Sequence, residues 1–137
     1  MFRFRLQKLL DHRGLLEDEA KKHFLERKAA KLTGERELVE VRLRRSRLET
    51  SSAVSVLDRL DLEGRFSKAD DDERAAIVGL GVLQDEEDAA EKLWLIAKKE
   101  LQVIEKLRER RYDEWQVEES RREQNALDEW AVLRRVA

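Results

Sequence analysis

No proline occurs anywhere in the 137 residues, and that absence constrains the fold more than any other feature of the chain. Proline lacks the amide proton and its ring collides with the preceding helical turn, so it is the strongest interruption a helix can meet. Without it, long helices run on. Five glycines, 44% charged residues and 41% hydrophobic residues complete the profile of long helices or coiled coil rather than of a mixed fold. Aromatic residues make up only 6%, too few to fill a broad core. The expectation is an all-α fold.

The balance of 29 basic against 31 acidic residues, net −2, gives no global pull toward nucleic acid or acidic lipid. The N-terminal part is net basic and the C-terminal part net acidic, so the two attract each other. There is no cysteine, which excludes a disulfide framework and a thiolate metal site. The opening MFRFRLQKLLDHRG is basic but reaches Asp11 before any apolar run long enough for a signal peptide, and no apolar segment long enough to span a bilayer follows. A soluble cytoplasmic protein, without direct membrane insertion, is expected.

From about residue 4 to 57 apolar residues return every three or four positions (Leu6, Leu9, Leu16, Ala20, Phe24, Ala30, Leu38, Val41, Leu48) among strong helix formers. Acid-before-base pairs such as Glu17 to Lys21 and Glu40 to Arg44 support a solvated helix face. The pattern lapses over residues 59–72, where LEGRFSKADDD brings glycine, serine and three aspartates. Asp70, Asp71 and Asp72 suit a helix start, so a second helix is expected over about 73–133, with Ile77, Leu80, Leu83, Ala90, Leu93, Trp94, Ala97, Leu101, Ile104 and Leu107 as its stripe. The fold class that follows is two long helices forming an antiparallel coiled-coil hairpin, a single elongated unit over 1–137 with its turn near residues 59–72. In an antiparallel pair the numbers of opposed residues add to a constant. A register that places Phe24 opposite Leu107, Leu16 opposite Trp115 and Gly34 opposite Ala97 also sets Arg42, Arg44, Arg45 and Arg47 across from Asp85 to Asp88. That register centres the turn between Arg65 and Phe66.

No catalytic constellation can be assembled, and no cofactor is expected. Gly79 and Gly81 lack the strand that a dinucleotide fingerprint requires, and there is no phosphate loop. Glu19 and His23 stand one turn apart, but a metal site needs three or four ligands, and an ordinary solvated pair is the simpler reading. Asp70 to Asp72 lack the spacing of a calcium loop. The stretch from Glu105 to Ala131 is different in kind: strongly helical, densely charged, and nearly without an apolar stripe of its own. A helix polar on most sides bridges solvent or meets a partner. Trp94 fits the core. Trp115 and Trp130 sit among charges, and for Trp115 both seam packing and partner contact remain open.

The segments FRFRLQKLLDHR (Phe2 to Arg13), AKKELQVIEKLRERR (Ala97 to Arg111) and EESRREQNALDEWA (Glu118 to Ala131) together resemble the FliJ family of the bacterial flagellar type III export apparatus, over about a third of the chain. The resemblance implies a non-enzymatic antiparallel coiled coil, similar to the stalk of rotary ATPases, that binds and stimulates the hexameric export ATPase. It further implies links to the export gate protein FlhA and to export chaperones, a cytoplasmic location peripheral to the membrane, and a monomeric hairpin when alone. By motif position it assigns ATPase contact to Arg108, Arg110, Arg111, Glu119, Arg122, Glu123, Gln124, Asp128 and Glu129. Tyr112 and Trp115 depart from the family's mostly polar pattern there. The alternatives are a generic self-associating coiled coil, expected as a parallel dimer, and the stalk of an injection-type secretion system. Nucleic-acid binding through Arg42 to Arg47 is disfavoured, because those residues are expected to face acids and have no aromatic neighbours for stacking.

Overall fold

A computed structural model describes residues 1–136. Two long helices, α1 (Gln7–Glu49, 43 residues) and α2 (Val56–Val136, 81 residues), pack against each other as an antiparallel hairpin, with no strand among the described residues. No helix is long and apolar enough to cross a membrane. The hairpin divides into two compact units, one of Glu19–Leu95 and one of Met1–Asp18 with Ile96–Ala137.

The buried line obeys a strict seven-residue repeat. Along α1 and the residues before it, Leu6, Leu10, Arg13, Glu17, Ala20, Phe24, Arg27, Lys31, Gly34, Leu38, Val41, Arg45 and Leu48 are all partly or fully shielded, at spacings alternating between four and three. Along α2 the same alternation links Leu62, Phe66, Ala69, Glu73, Ala76, Leu80, Leu83, Glu87, Ala90, Trp94, Ala97, Leu101 and Ile104. These are the a and d positions of a coiled coil. Leu38 (8% exposed) and Ala90 (2%) are among its most deeply buried side chains. Six members of the expected stripe fall off this line: Leu16, Ala30 and Leu107 flank it half-shielded, while Leu9, Ile77 and Leu93 are exposed.

In the Glu19–Leu95 unit, Phe24 stacks on Trp94 with ring centroids 5.4 Å apart and planes 14° from parallel. Gly34 lies under Leu80 and Leu83. Arg27 reaches Glu86 at 2.8 Å, Lys31 reaches Glu87 at 3.2 Å, and Arg45 reaches both Asp70 at 3.0 Å and Glu73 at 2.8 Å. The hairpin therefore closes two heptads away from the expected register, which had placed Phe24 on Leu107 and Gly34 on Ala97. Of the basic run, Arg42 and Arg45 meet Glu73, and Arg45 also Asp70, while Glu86 and Glu87 of the Asp85 to Asp88 run serve Arg27 and Lys31. A slip by whole heptads leaves every apolar residue on the seam, so hydrophobic periodicity cannot distinguish the two registers. The paired charges can.

The turn also lies elsewhere than expected: residues 59–72 are helical, and the break falls at residues 50–55. Here hydroxyl side chains compete with the helix for its own backbone groups. Thr50 Oγ1 donates to the Arg47 carbonyl at 2.8 Å and Ser51 Oγ donates to the same oxygen at 3.2 Å, ending α1. Ser55 Oγ then accepts the Asp58 amide at 3.1 Å, and Asp58 lies in the first turn of α2, where an acid favours the dipole. Asp70 to Asp72 start nothing. They are interior to α2, with Asp70 holding Arg45. Arg45 stands four residues before the end of α1 yet meets Asp70, well inside α2. By the Arg45–Glu73 pairing the first turns of α2 project past α1 by about 20 Å, at 1.5 Å per residue, a span that the six-residue link covers only when almost fully extended, at about 3.3 Å per residue.

Glycine supplies a prediction. A methyl group added at Gly79 or Gly81 meets nothing within 4 Å, whereas one at Gly34 comes 2.7 Å from Leu83 Cδ1. Gly79→Ala and Gly81→Ala are each expected to stabilise the fold by about 1 kcal/mol through helix propensity. Gly34→Ala should gain less, because the tip of Leu83 must move. Chemical denaturation of the three variants checks the order.

Glu73 accepts from Arg45 Nη1 at 2.8 Å and from Arg42 Nε at 3.3 Å. These bonds, Arg45's first, hold its carboxyl below the ordinary glutamate range, and the same bond raises the Arg45 guanidinium. The stability contributed by Glu73 is complete above the ordinary glutamate pKa of about 4.3 and is lost as pH falls through the depressed folded value. Glu73→Gln should therefore flatten the acid limb of the melting-temperature profile while leaving the shape of the profile above neutrality unchanged.

Candidate partner-binding end of α2

Near the chain's N-terminus the other unit brings a short non-helical arm onto α2. The Gln7 amide donates to the Phe4 carbonyl at 3.1 Å, which turns the arm into α1. Phe2 then sits edge-on to Tyr112 with centroids 5.3 Å apart and 5.9 Å from the Trp115 ring. Tyr112 and Trp115 stack on each other at 5.9 Å, and the Arg108 guanidinium lies 5.7 Å from the Phe2 centroid. Arg108 Nε also donates to Gln7 Oε1 at 3.2 Å, and Arg13 pairs with Glu100 at 2.6 Å. Beside the cluster is an open groove of ≈ 570 Å³ lined by the arm from Phe2 to Leu6 and by Leu107, Arg111 and Trp115.

Sequence reading missed this cluster. It placed Trp115 opposite Leu16, whereas Trp115 packs on Phe2. The aromatic residues at 112 and 115, three apart on one helix face, were a local signal, but their partner at position 2 follows only from the true register.

Past this point α1 has nothing left to offer. Every described residue from Ser120 to Val136 is exposed, and α2 continues as a single helix. The seam line continues through Glu118, Arg122, Asn125 and Glu129, all polar, so nothing there asks for a second helix of the hairpin type. Local pairs hold the surface instead: Arg111 with Glu114 at 3.3 Å, Arg122 with Glu118 at 3.8 Å, and Gln124 Nε2 donating to Asp128 Oδ1 at 3.2 Å. Such exposed pairs are worth a few tenths of a kcal/mol and leave the side chains free to exchange partners.

At 3.6 residues per turn the nine residues singled out by motif position do not share one face. Arg108, Arg111, Glu119, Arg122, Glu123 and Glu129 follow the side that carries Trp115. Arg110, Gln124 and Asp128 lie on the opposite side, where Arg110 flanks a shallow depression with Lys106, Asp113, Glu114 and Arg121. Only the first set forms a continuous stripe, and all of it but Glu119 is exposed.

A protein-family model described as "Flagellar FliJ protein" matches residues 1–136. No curated protein and no solved structure matches the chain.

Proposed function

The chain belongs to the flagellar FliJ family, and from that premise we propose that it binds and stimulates the ring-shaped export ATPase in the manner of a rotary-ATPase stalk. Membership makes it a component of the flagellar export apparatus, and the role proposed for it is non-catalytic. The observation that carries the finer reading is the single helix beyond Trp115, which is exposed at every described residue but Glu119 and lined with charge where a coiled-coil seam would be apolar. Long Arg and Glu side chains on such a helix can engage successive subunits of a ring, with complementary charge steering the encounter.

The contact is assigned to Arg108, Arg111, Glu119, Arg122, Glu123 and Glu129. Arg110, Gln124 and Asp128, on the other side, would serve a second subunit where the helix is surrounded. Location in the cytoplasm, peripheral to the membrane through the apparatus, follows from this role. So do the links to the gate protein FlhA and to export chaperones. In the other unit, exposed Val54, Val56 and Leu57 near the turn offer an apolar surface for one of those partners.

The test is ATP hydrolysis by the purified export ATPase as this protein is titrated in. Arg111→Glu with Arg122→Glu should raise the concentration for half-maximal stimulation about tenfold or more, equivalent to about 1.4 kcal/mol, at unchanged helicity. Arg110→Glu should have a smaller effect. Unaltered stimulation by the double variant would sink the assignment. The flagellar description of the matching family favours this reading over the stalk of an injection system.

A further inference from the structure

We infer that residues 120–134 of α2 pair with the same segment of a second copy as a short, twofold-symmetric antiparallel coiled coil. The pairing shares Glu123 with the proposed ATPase contact, but its test reads the mass of this protein alone, so either can fail without the other. Leu127 and Trp130 stand 60% and 58% exposed on one face, and the N-terminal arm reaches no further along α2 than Trp115. That face is not the continuation of the hairpin seam, which runs instead through Arg122, Asn125 and Glu129.

Glu123, Leu127, Trp130 and Arg134 recur at spacings of four, three and four, a coiled-coil line of their own. Their order decides the occupant. When two copies run antiparallel about the midpoint of Leu127 and Trp130, Leu127 of each meets Trp130 of the other. Ala126 meets Ala131, which allows close approach, and Glu123 meets Arg134. An isologous interface requires this self-complementarity, in which every contact is made twice. In a parallel pair each charge would meet its own like. Within one chain Arg134 lies over the Trp130 ring at 5.1 Å, already at the edge of the patch, and no ion pair among the described residues engages Glu123.

The patch is short, far below the area of a standard stable interface, so the association is weak and concentration-dependent. Sedimentation equilibrium of the full chain over a wide concentration range should show the mass rising from one chain toward two. Glu123→Arg and Arg134→Glu should each hold the protein at the mass of one chain, because like charges then meet at both ends of the pair. An equimolar mixture of the two variants should associate again, since each supplies the charge the other lacks. Circular dichroism of each variant confirms that the helix is retained. A wild-type protein that stays at the mass of one chain throughout, single variants that associate as the wild type does, or a mixture that fails to recover would each overturn the inference.

Discussion

Replacing Phe24 with alanine is expected to destabilise the hairpin by about 2–4 kcal/mol, somewhat under the usual cost for a fully buried phenylalanine because the site is half-shielded. Phe24 is one of few large side chains on a seam filled mainly by Leu, Ala and charged residues, and its ring stacks on Trp94 at 5.4 Å. A two-helix hairpin buries one narrow line and has no second layer to absorb the loss. Urea unfolding followed by far-UV circular dichroism measures the change. Leu93→Ala, one residue away from Trp94 but 60% exposed, should stay within about 0.5 kcal/mol. Equal effects from the two substitutions would contradict the seam. A double-mutant cycle then tests the register: Phe24 with Trp94 should show a coupling of about 0.5–1.5 kcal/mol. Phe24 with Leu107, partners in the register shifted by two heptads, should be additive.

Ending the chain after Gln116 is expected to abolish stimulation of the export ATPase and leave the hairpin's stability unchanged. The removed helix is exposed from Ser120 onward, so its loss uncovers no core. The Phe2, Tyr112 and Trp115 cluster stays in place. Most of the contact stripe, Glu119, Arg122, Glu123 and Glu129, goes with the truncation. Parallel measurement of the urea midpoint and of ATP hydrolysis separates the two outcomes. A truncated protein that still stimulates fully would move the contact to Arg108 and Arg111, and a truncated protein that unfolds would show that the projecting helix supports the hairpin.

Much of the candidate partner-binding end was legible because its signal is local. The density of Arg and Glu from Glu105 onward, without an apolar stripe, is a property of the sequence alone, and the structure leaves that helix exposed from Ser120. The turn was legible too, in Thr50, Ser51 and the Ser55 to Asp58 cap. It was outweighed by Gly64 and the three aspartates, which a long helix tolerates at about 1 kcal/mol or less per residue. The Phe2 cluster was beyond reach, since it joins residues about a hundred positions apart and exists in one register only.

The sequence by itself determined that there would be two long helices packed antiparallel, because proline is absent and apolar residues return every three or four positions; the strict seven-residue line, which includes charged residues, came from the structure. Membership of the family was readable from the strings at the two ends. Only the tertiary structure decided how the helices slide along each other. A repeat that returns every seven residues is satisfied equally by any slip of whole heptads. What breaks the tie is how many unlike charges on the seam find each other: this alignment pairs both Arg45 with Glu73 and Lys31 with Glu87, whereas a slip of two heptads keeps one such pair, Arg45 opposite Glu87, and sets Lys31 opposite Leu101.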